Sequence, residues 1–311
     1  MKTILLSWLL FTAILPIKAY DIVVAKDGSG NFTTVQEAIL SVRDYTPVPK
    51  TIFIKNGTYN EKVVIPANKC DISLIGESKE GTIITWDDHA NINKMGTFKT
   101  YTLKVEGNNI LIENLSVENN APQLGQAVAL HVEGHKVVVR NCRLLGNQDT
   151  LFTGNDYSFQ YYENCYIEGT TDFIFGPATC WFERCEIHSK RDSYITAAST
   201  PATKKYGYVF NNCKLTAGND VTKVYLGRPW RAYAATVFMN CELGSHILPE
   251  GWENWRNPEN EKTARYAEYK NTGPGADRSK RVAWSHELTQ KEAKLYTQKL
   301  VFDGWELFEK K

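Results

Sequence analysis

The fold of this chain is decided by the stretch GNQDTLF at residues 146–152, which is echoed by TDFIFG at residues 171–176. Each stretch carries an aspartate seven residues after a cysteine: Asp149 follows Cys142, and Asp172 follows the equivalent cysteine of the next copy. The two aspartates therefore hold one position in a repeat whose step runs from 149 to 172. A repeat of about this length is typical of a solenoid, in which each coil stacks on the one before.

The repeat predicts a column of polar side chains. Gln126 precedes Asp149 by the same step that separates Asp149 from Asp172. Equivalent positions in stacked parallel strands are roughly 5 Å apart, so the two carboxylates should nearly touch. Two close carboxylates do not both ionise easily, so we expect one pKa to rise and the other to stay low.

The same spacing also allows a purely structural interpretation. Two aspartates at one position of a repeat are equally compatible with side chains that cap turns of the solenoid. The register alone would moreover add a third aspartate, because Asp192 stands seven residues after Cys185. We expect Asp192 to be structural.

Short apolar runs separated by Gly, Asn and Pro turns fill the chain from Lys50 onward. Asparagine recurs beside these runs, as expected for tight turns with a left-handed backbone, at positions 109, 114, 119, 141, 164, 212 and 240. Five cysteines recur in the same way and should form one inward rung per coil, at positions 142, 165, 185, 213 and 241. These patterns predict an all-β, single-domain parallel β-helix.

The two ends of the chain interrupt this pattern. Thr34 begins a short helix, with Glu37 completing a capping box, and this helix should close the open end of the solenoid. After Asn240 the pattern fades into an irregular, aromatic-rich tail. We expect Ser285 to Lys299 to be helical and the tail to pack along the outside of the solenoid.

The segment 1–19 is typical of a secretory signal peptide. Lys2 gives the charged start, Ile4 to Leu15 the apolar run, and residues 17–19 a cleavage site. We therefore expect residues 20–311 to form a single exported domain. A formal net charge of +1, from 36 basic and 35 acidic residues, indicates neither a nucleic-acid nor a membrane partner.

The cysteines argue against a zinc site, because no C-x-x-C pair occurs. In an oxidising compartment, neighbouring rungs can instead form a disulfide. We name Cys165 and Cys185 as the expected pair.

Four blocks of sequence carry a resemblance to a known family: QAVAL at 126–130, GNQDTL at 146–151, DFIFG at 172–176 and LGRPW at 226–230. In this order they resemble the pectin methylesterases, or pectinesterases, and the likeness runs from about Asp21 to Trp284. The chain is similar to the short form of the family, which lacks an inhibitor-like prodomain.

The resemblance implies a right-handed parallel β-helix that hydrolyses the methyl ester of galacturonate in pectin. Asp172 matches the nucleophile, and Asp149 matches the general acid that later acts as a base. Gln126 and Gln148 would hold the oxyanion, and Arg228 would pair with Asp172. These roles agree with the needs of ester hydrolysis: a nucleophile, a proton donor for methanol and donors to the oxyanion.

Two further positions match substrate contacts of the family. Trp230 would form a wall for a sugar ring, and Thr97 matches a position that touches substrate. Gln126 and Arg228 would also contact the sugar. The resemblance implies no cofactor and no metal, a monomer, pectin as the substrate, and a proteinaceous pectinesterase inhibitor as a further partner.

Other functions compete with this interpretation. A serine esterase would need G-x-S-x-G, which the chain lacks. A polygalacturonase-like hydrolase on the same scaffold also uses paired carboxylates. The non-enzymatic alternative is a secreted β-helix that binds pectin without turnover. We expect a secreted protein, extracellular or, in a bacterium, periplasmic.

Overall fold

The central coils of the chain each contribute one short strand to each of three parallel sheets, and the coils at the two ends contribute to fewer. The computed structural model describes residues 20–307, so the predicted signal peptide at residues 1–19 lies outside the described residues. Sheet 1 holds, in spatial order, Ile22–Val24, Lys50–Ile54, Ile72–Gly76, Leu111–Glu113, Val137–Arg140, Phe159–Glu163, Thr179–Glu183, Tyr208–Asn211, Ala235–Met239, Arg265–Tyr269 and His286–Glu287. Sheet 2 holds Gly57–Asn60, Thr82–Trp86, Ser116–Asn119, Arg143–Leu145, Tyr166–Gly169, Glu186–Ser189, Lys214–Ala217 and Glu242–Leu243. Sheet 3 holds Val63–Ile65, Leu103–Val105, Leu130–Val132, Leu151–Thr153, Ile174–Gly176, Tyr194–Ala198 and Tyr225–Gly227.

This arrangement is the right-handed parallel β-helix that the sequence predicted. The core lies inside the coil, where like side chains stack from one coil to the next. Tyr162, Phe182, Phe210 and Phe238 form such a stack, with successive ring centroids 4.7, 4.3 and 4.4 Å apart. None of the described helices is long and apolar enough to cross a membrane.

The five cysteines at 142, 165, 185, 213 and 241 form the predicted inward rung. Each is at most 1% exposed, and the strand pairings place them on successive coils. The expected disulfide between Cys165 and Cys185 is wrong, because both are free thiols in the structure. Their sulfurs instead lie near backbone carbonyls of the coil before, with Cys165 Sγ 3.5 Å from the oxygen of Val139. Because the five thiols form one continuous column, no two of them are set apart as a disulfide pair.

The asparagine turns are confirmed at six of the seven positions. Asn109, Asn114, Asn141, Asn164, Asn212 and Asn240 have φ between 51° and 62°, in the left-handed region that asparagine tolerates. Asn119 differs because it ends a strand, and its side-chain amide donates to backbone carbonyls of Asp88, Thr100 and Val128.

The helices are few and short. Among residues 20–307 the α-helices are Val35–Ser41, Gln290–Ala293 and Gln298–Val301, and the 3-10 helices are Ile92–Lys94, Thr97–Lys99, Pro258–Lys262 and Pro274–Ala276. Thr34 caps the first helix as predicted by accepting the N–H of Glu37. The Glu37 carboxylate accepts the Thr34 hydroxyl but not the Thr34 backbone N–H, so the capping box is incomplete.

The single helix expected from Ser285 to Lys299 is wrong. His286 and Glu287 form a strand that pairs with Ala267 and Glu268, and two short helices follow it. The break between the helices has a local cause: the backbone of Thr297 is extended, and its side chain caps the second helix. The tail nevertheless packs on the outer face of sheet 1, as predicted, where Phe302 is fully buried.

A buried carboxylate fastens this tail to the solenoid. Glu268, which is 1% exposed, accepts hydrogen bonds from Arg278 Nη1 at 2.6 Å and Arg281 Nε at 2.8 Å. We expect Glu268→Gln to lower the free energy of unfolding by about 3–5 kcal/mol, because two arginines would lose their buried counter-charge. Glu287→Gln is the matched control: this carboxylate also approaches Arg278, at 3.7 Å, but it is 69% exposed. Denaturant unfolding midpoints that are equal for the two variants would contradict the prediction.

Candidate active site

The two aspartates lie at equivalent positions of neighbouring coils, each two residues before a strand of sheet 3. Leu151 pairs with Ile174, which places Asp149 beside Asp172. The backbone N–H of Asp149 donates to Thr171 O at 3.1 Å, which continues the pairing into the turn. Both side chains are buried, at 8% and 6% exposed. The structure therefore brings these two carboxylates together as predicted.

Both aspartates adopt a left-handed backbone. Their φ angles are 66° for Asp149 and 50° for Asp172. Aspartate and asparagine tolerate this region better than other residues with a side chain. The turn thus aims both carboxylates out of the coil and into the cleft, and an Asp→Asn change is compatible with the backbone at both positions.

Gln126 does not lie in the register of this column. A strict continuation of the repeat would pair Val128 with Leu151, but Leu130 takes that place. In the turn before these strands, the N–H of Ala127 donates to Gln148 O at 3.0 Å, so Gln126 lies beside Gln148. The predicted column is correct for the aspartates and wrong for Gln126, because this coil is shorter than the next.

All seven predicted site residues nevertheless line one cleft with a volume of about 360 Å³. The predicted members are Thr97, Gln126, Gln148, Asp149, Asp172, Arg228 and Trp230. Four further residues complete the lining, namely Phe98, Phe175, Ala197 and Trp255. Neither glutamine side chain is hydrogen-bonded within residues 20–307, so both amides can donate to a molecule in the cleft.

Two of the lining residues that the sequence interpretation missed, Phe98 and Trp255, lie outside the repeat. Phe98 lies in a 3-10 helix, and Trp255 lies in a loop beyond the last strand of sheet 3. Repeat spacing gives no signal for either residue. Phe175, three residues after Asp172, packs on Phe152 of the neighbouring coil and on Trp230, with ring centroids 4.8 and 5.9 Å apart.

Arg228 binds only one of the two aspartates. Its Nε donates to Asp172 Oδ1 at 2.9 Å, and its Nη2 donates to Asp172 Oδ2 at 2.7 Å. Such a two-point contact fixes the plane of the carboxylate as well as its charge. The arginine follows the last strand of sheet 3, and its own N–H donates to Thr196 O.

Burial governs the ionisation of the pair. It raises the pKa of Asp149 well above its usual range, and the charge of Asp172 raises that pKa further. Burial also raises the pKa of Asp172, against the opposing effect of Arg228. The expectation that one pKa stays low is therefore wrong, because desolvation outweighs the ion pair. The assignment of acid and carboxylate within the pair is as expected. Asp149 holds its proton to higher pH, since the guanidinium is bonded to Asp172.

The raised pKa of Asp149 has a consequence for stability. The folded chain keeps this proton above the pH at which an unfolded aspartate loses it, so the contribution of Asp149 to the free energy of unfolding falls as the pH rises from about 4. Asparagine does not titrate. We therefore expect Asp149→Asn to be more stable than the parent chain at neutral pH, with an advantage that shrinks toward acid pH. Thermal unfolding between about pH 3 and pH 8 measures this.

Asp192→Asn serves as the matched control. The Asp192 carboxylate accepts backbone N–H groups of Thr222 and Lys223, and these lower its pKa. Its contribution to stability is therefore present above the unfolded pKa and lost as the pH falls, the opposite trend. A stability difference for Asp149→Asn that does not change with pH would contradict the account.

Asp192 itself lies outside the site, as expected. Ile174 pairs with Thr196, so Tyr194 and not Asp192 takes the next position of the column after Asp172. Asp192 is exposed and connects its loop to the neighbouring turn. Among residues 20–307 no group of three or more His, Cys, Asp or Glu side chains could hold a metal ion.

Comparison with known proteins gives a consistent result. A family model described as Pectinesterase matches residues 21–304. Pectinesterase 31 of Arabidopsis thaliana is 40% identical over 281 residues, which cover 87% of this chain and 88% of that protein. The solved structure of a pectin methylesterase from carrot has a TM-score of 0.88 at 33% identity and covers 93% of this chain and 94% of its own. A pectin methylesterase in complex with a hexasaccharide has a TM-score of 0.82 at 29% identity, covering 94% and 100%.

Proposed function

This chain belongs to the pectinesterase family, and on that premise we propose that Asp172 and Asp149 divide the hydrolysis of pectin methyl esters between them. The chain is a carboxylic ester hydrolase that converts methylesterified galacturonate units of pectin to pectate and releases methanol. One observation carries the proposal: two adjacent carboxylates are buried, and a guanidinium is bonded to Asp172.

Asp172 is the nucleophile. Arg228 favours its ionised form, and an ionised carboxylate can attack the carbonyl carbon of the ester. The bond that forms joins Asp172 to the galacturonyl group as an acyl-enzyme anhydride, and the bond that breaks releases the methoxy group. The two-point contact leaves the carboxylate oriented, so that little reorganisation is needed before attack.

Asp149 is the proton donor in the first step and the base in the second. Its raised pKa keeps the proton in place until methoxide needs it. The Asp149 carboxylate then takes a proton from water, and the resulting hydroxide attacks the acyl carbon. Asp172 leaves as a carboxylate, and the product is galacturonate.

Gln126 and Gln148 stabilise the tetrahedral oxyanion. Their side-chain amides line the cleft beside the aspartates and have no hydrogen-bond partner within the described residues. Amide donors suit this role because they stabilise a developing negative charge without adding a charge of their own.

Substrate binding rests on the walls of the cleft. Trp230 is half-buried and lines this cleft. It also lines a second pocket, which Phe152 and Tyr233 help to form. This position suits a platform for a sugar ring. Thr97 lines the same cleft and offers a hydroxyl to the substrate. Export is a proposal that follows from the signal-peptide pattern of residues 1–19. A monomeric state and a proteinaceous inhibitor as partner are proposals that follow from the resemblance.

The test is one reaction with highly methylated pectin, in which methanol, reducing ends and unsaturated products are all measured. The proposed function predicts methanol without the other two products. Reducing ends or unsaturated products without methanol would mean that the chain cleaves the pectin backbone. Bound pectin with no product would favour the non-catalytic alternative.

A further inference from the structure

The column of aspartates continues as a column of tyrosines. Asp172 is followed in the register of sheet 3 by Tyr194, and Tyr194 pairs with Tyr225 of the next coil. The two tyrosine rings stack at 5.4 Å, with 13° between their planes. The backbone N–H of Asp172 donates to Tyr194 O at 2.8 Å, so Tyr194 lies next to the proposed nucleophile in the stack of coils. The simple repeat would have placed Asp192 at this position.

The guanidinium of Arg228 lies between two aromatic rings. Its Cζ is 3.9 Å from the ring centroid of Tyr194 and 3.9 Å from that of Trp255. Two rings at this distance cannot share one face of a planar guanidinium without overlapping, so one ring covers each face. The edge of the guanidinium remains for Asp172. The Arg228 side chain is consequently only 20% exposed.

The loop that brings Trp255 to this position is strained. Trp255 and Arg256 have φ angles of 60° and 54°, which are uncommon for large side chains. The Glu253 carboxylate holds the turn by accepting the N–H of Trp255 at 2.8 Å and that of Arg256 at 3.1 Å. Backbone strain of this kind persists where the surrounding structure fixes it, and here it delivers one indole ring to Arg228.

The two rings differ in their access to substrate. Trp255 lines the cleft, whereas Tyr194 does not. A change at Tyr194 therefore reaches the reaction through Arg228, while a change at Trp255 also alters the wall that faces the sugar. This difference makes Tyr194 the more informative position for an experiment.

We propose that Tyr194 and Trp255 are positioning residues that clamp the Arg228 guanidinium so that it presents both donors to Asp172. The inference rests on the proposed role of Asp172 as nucleophile. A cation enclosed by two aromatic faces is stabilised by both, and its plane cannot rotate away from the carboxylate. The charged groups that face Asp172 are Arg228, Asp149 and Glu253. Arg228 is the cation among these three, and the two rings hold it in place.

The test compares Tyr194→Leu with Tyr194→Phe. We expect Tyr194→Leu to lower kcat about tenfold with KM nearly unchanged, and Tyr194→Phe to restore kcat, because phenylalanine keeps the ring. The acid limb of kcat/KM should move to higher pH in Tyr194→Leu, since a loosened Arg228 favours the Asp172 carboxylate less. Tyr166→Leu, which removes a half-buried ring stacked on His188 in sheet 2, is the matched control and should leave kcat unchanged.

Each other outcome would overturn the inference. If Tyr194→Leu lowers activity equally at every pH, or if Tyr194→Phe fails to restore it, the ring is only structural. If Tyr194→Leu has full activity, no clamp is needed. Asp172→Asn, assayed in the same series, distinguishes a failure of the proposed function from a failure of the clamp. An active Asp172→Asn enzyme contradicts the proposed function. An inactive Asp172→Asn enzyme together with a fully active Tyr194→Leu enzyme contradicts the clamp alone.

Discussion

Asp172→Asn is expected to lower kcat for methanol release from pectin by at least about 10³-fold, because an amide cannot form the acyl-enzyme. The fold should survive, since the left-handed backbone at this position, with φ of 50°, suits asparagine as well as aspartate. The measurement is methanol release under saturating pectin, together with thermal unfolding and pectin binding.

Asp192→Asn is the matched control for this change. It makes the same substitution seven residues after a cysteine of the repeat, but at an exposed carboxylate outside the cleft. We expect this variant to keep the parent kcat. A folded Asp172→Asn variant that binds pectin and still releases methanol at the parent rate would contradict the assignment of the nucleophile.

Asp149→Asn should produce the second large effect, and the effect should depend on the leaving group. With a methyl ester we expect kcat to fall by about 10²- to 10⁴-fold, because methoxide is a poor leaving group without a proton donor. An aryl ester of the same galacturonate oligomer leaves without protonation, so the first step should proceed. The second step should still fail, because no base activates water.

The variant should therefore release one equivalent of the aryl alcohol in a burst and then stall. Rapid-mixing absorbance measures the amplitude of the burst. Steady turnover of the aryl ester by Asp149→Asn would show that another group serves as the base. The absence of any burst would show that Asp149 is needed before the bond to Asp172 forms.

The sequence predicted the features that a repeat can carry. Stacked coils place equal positions on top of one another, so the inward cysteines, the left-handed asparagines and the adjacency of Asp149 and Asp172 all followed from spacing. Register errors arose where coil length changed. The coil before Asp149 is shorter than the one after it, and this displaced Gln126 from the column.

Contacts between distant segments escaped prediction for a different reason. Trp255 reaches Arg228 through a strained loop outside the repeat, and no periodicity marks that loop. The pKa of Asp172 likewise depends on how completely the folded chain excludes water, which a sequence does not state. The tail helices were mispredicted because Thr297 caps a helix at a place where apolar spacing suggested continuity.

The most direct test of the roles assigned to Asp172 and Asp149 is to find which residue carries the acyl group. Asp149→Asn would be mixed with the aryl ester of a galacturonate oligomer, quenched with hydroxylamine, digested and examined by mass spectrometry. Hydroxylamine opens the mixed anhydride at either carbonyl and leaves a hydroxamate on the aspartate or on the galacturonate. The account predicts the hydroxamate on Asp172, with none in a sample that lacks the ester. A full burst of the aryl alcohol with the hydroxamate on another residue, or with no hydroxamate on either the protein or the oligomer, would contradict it.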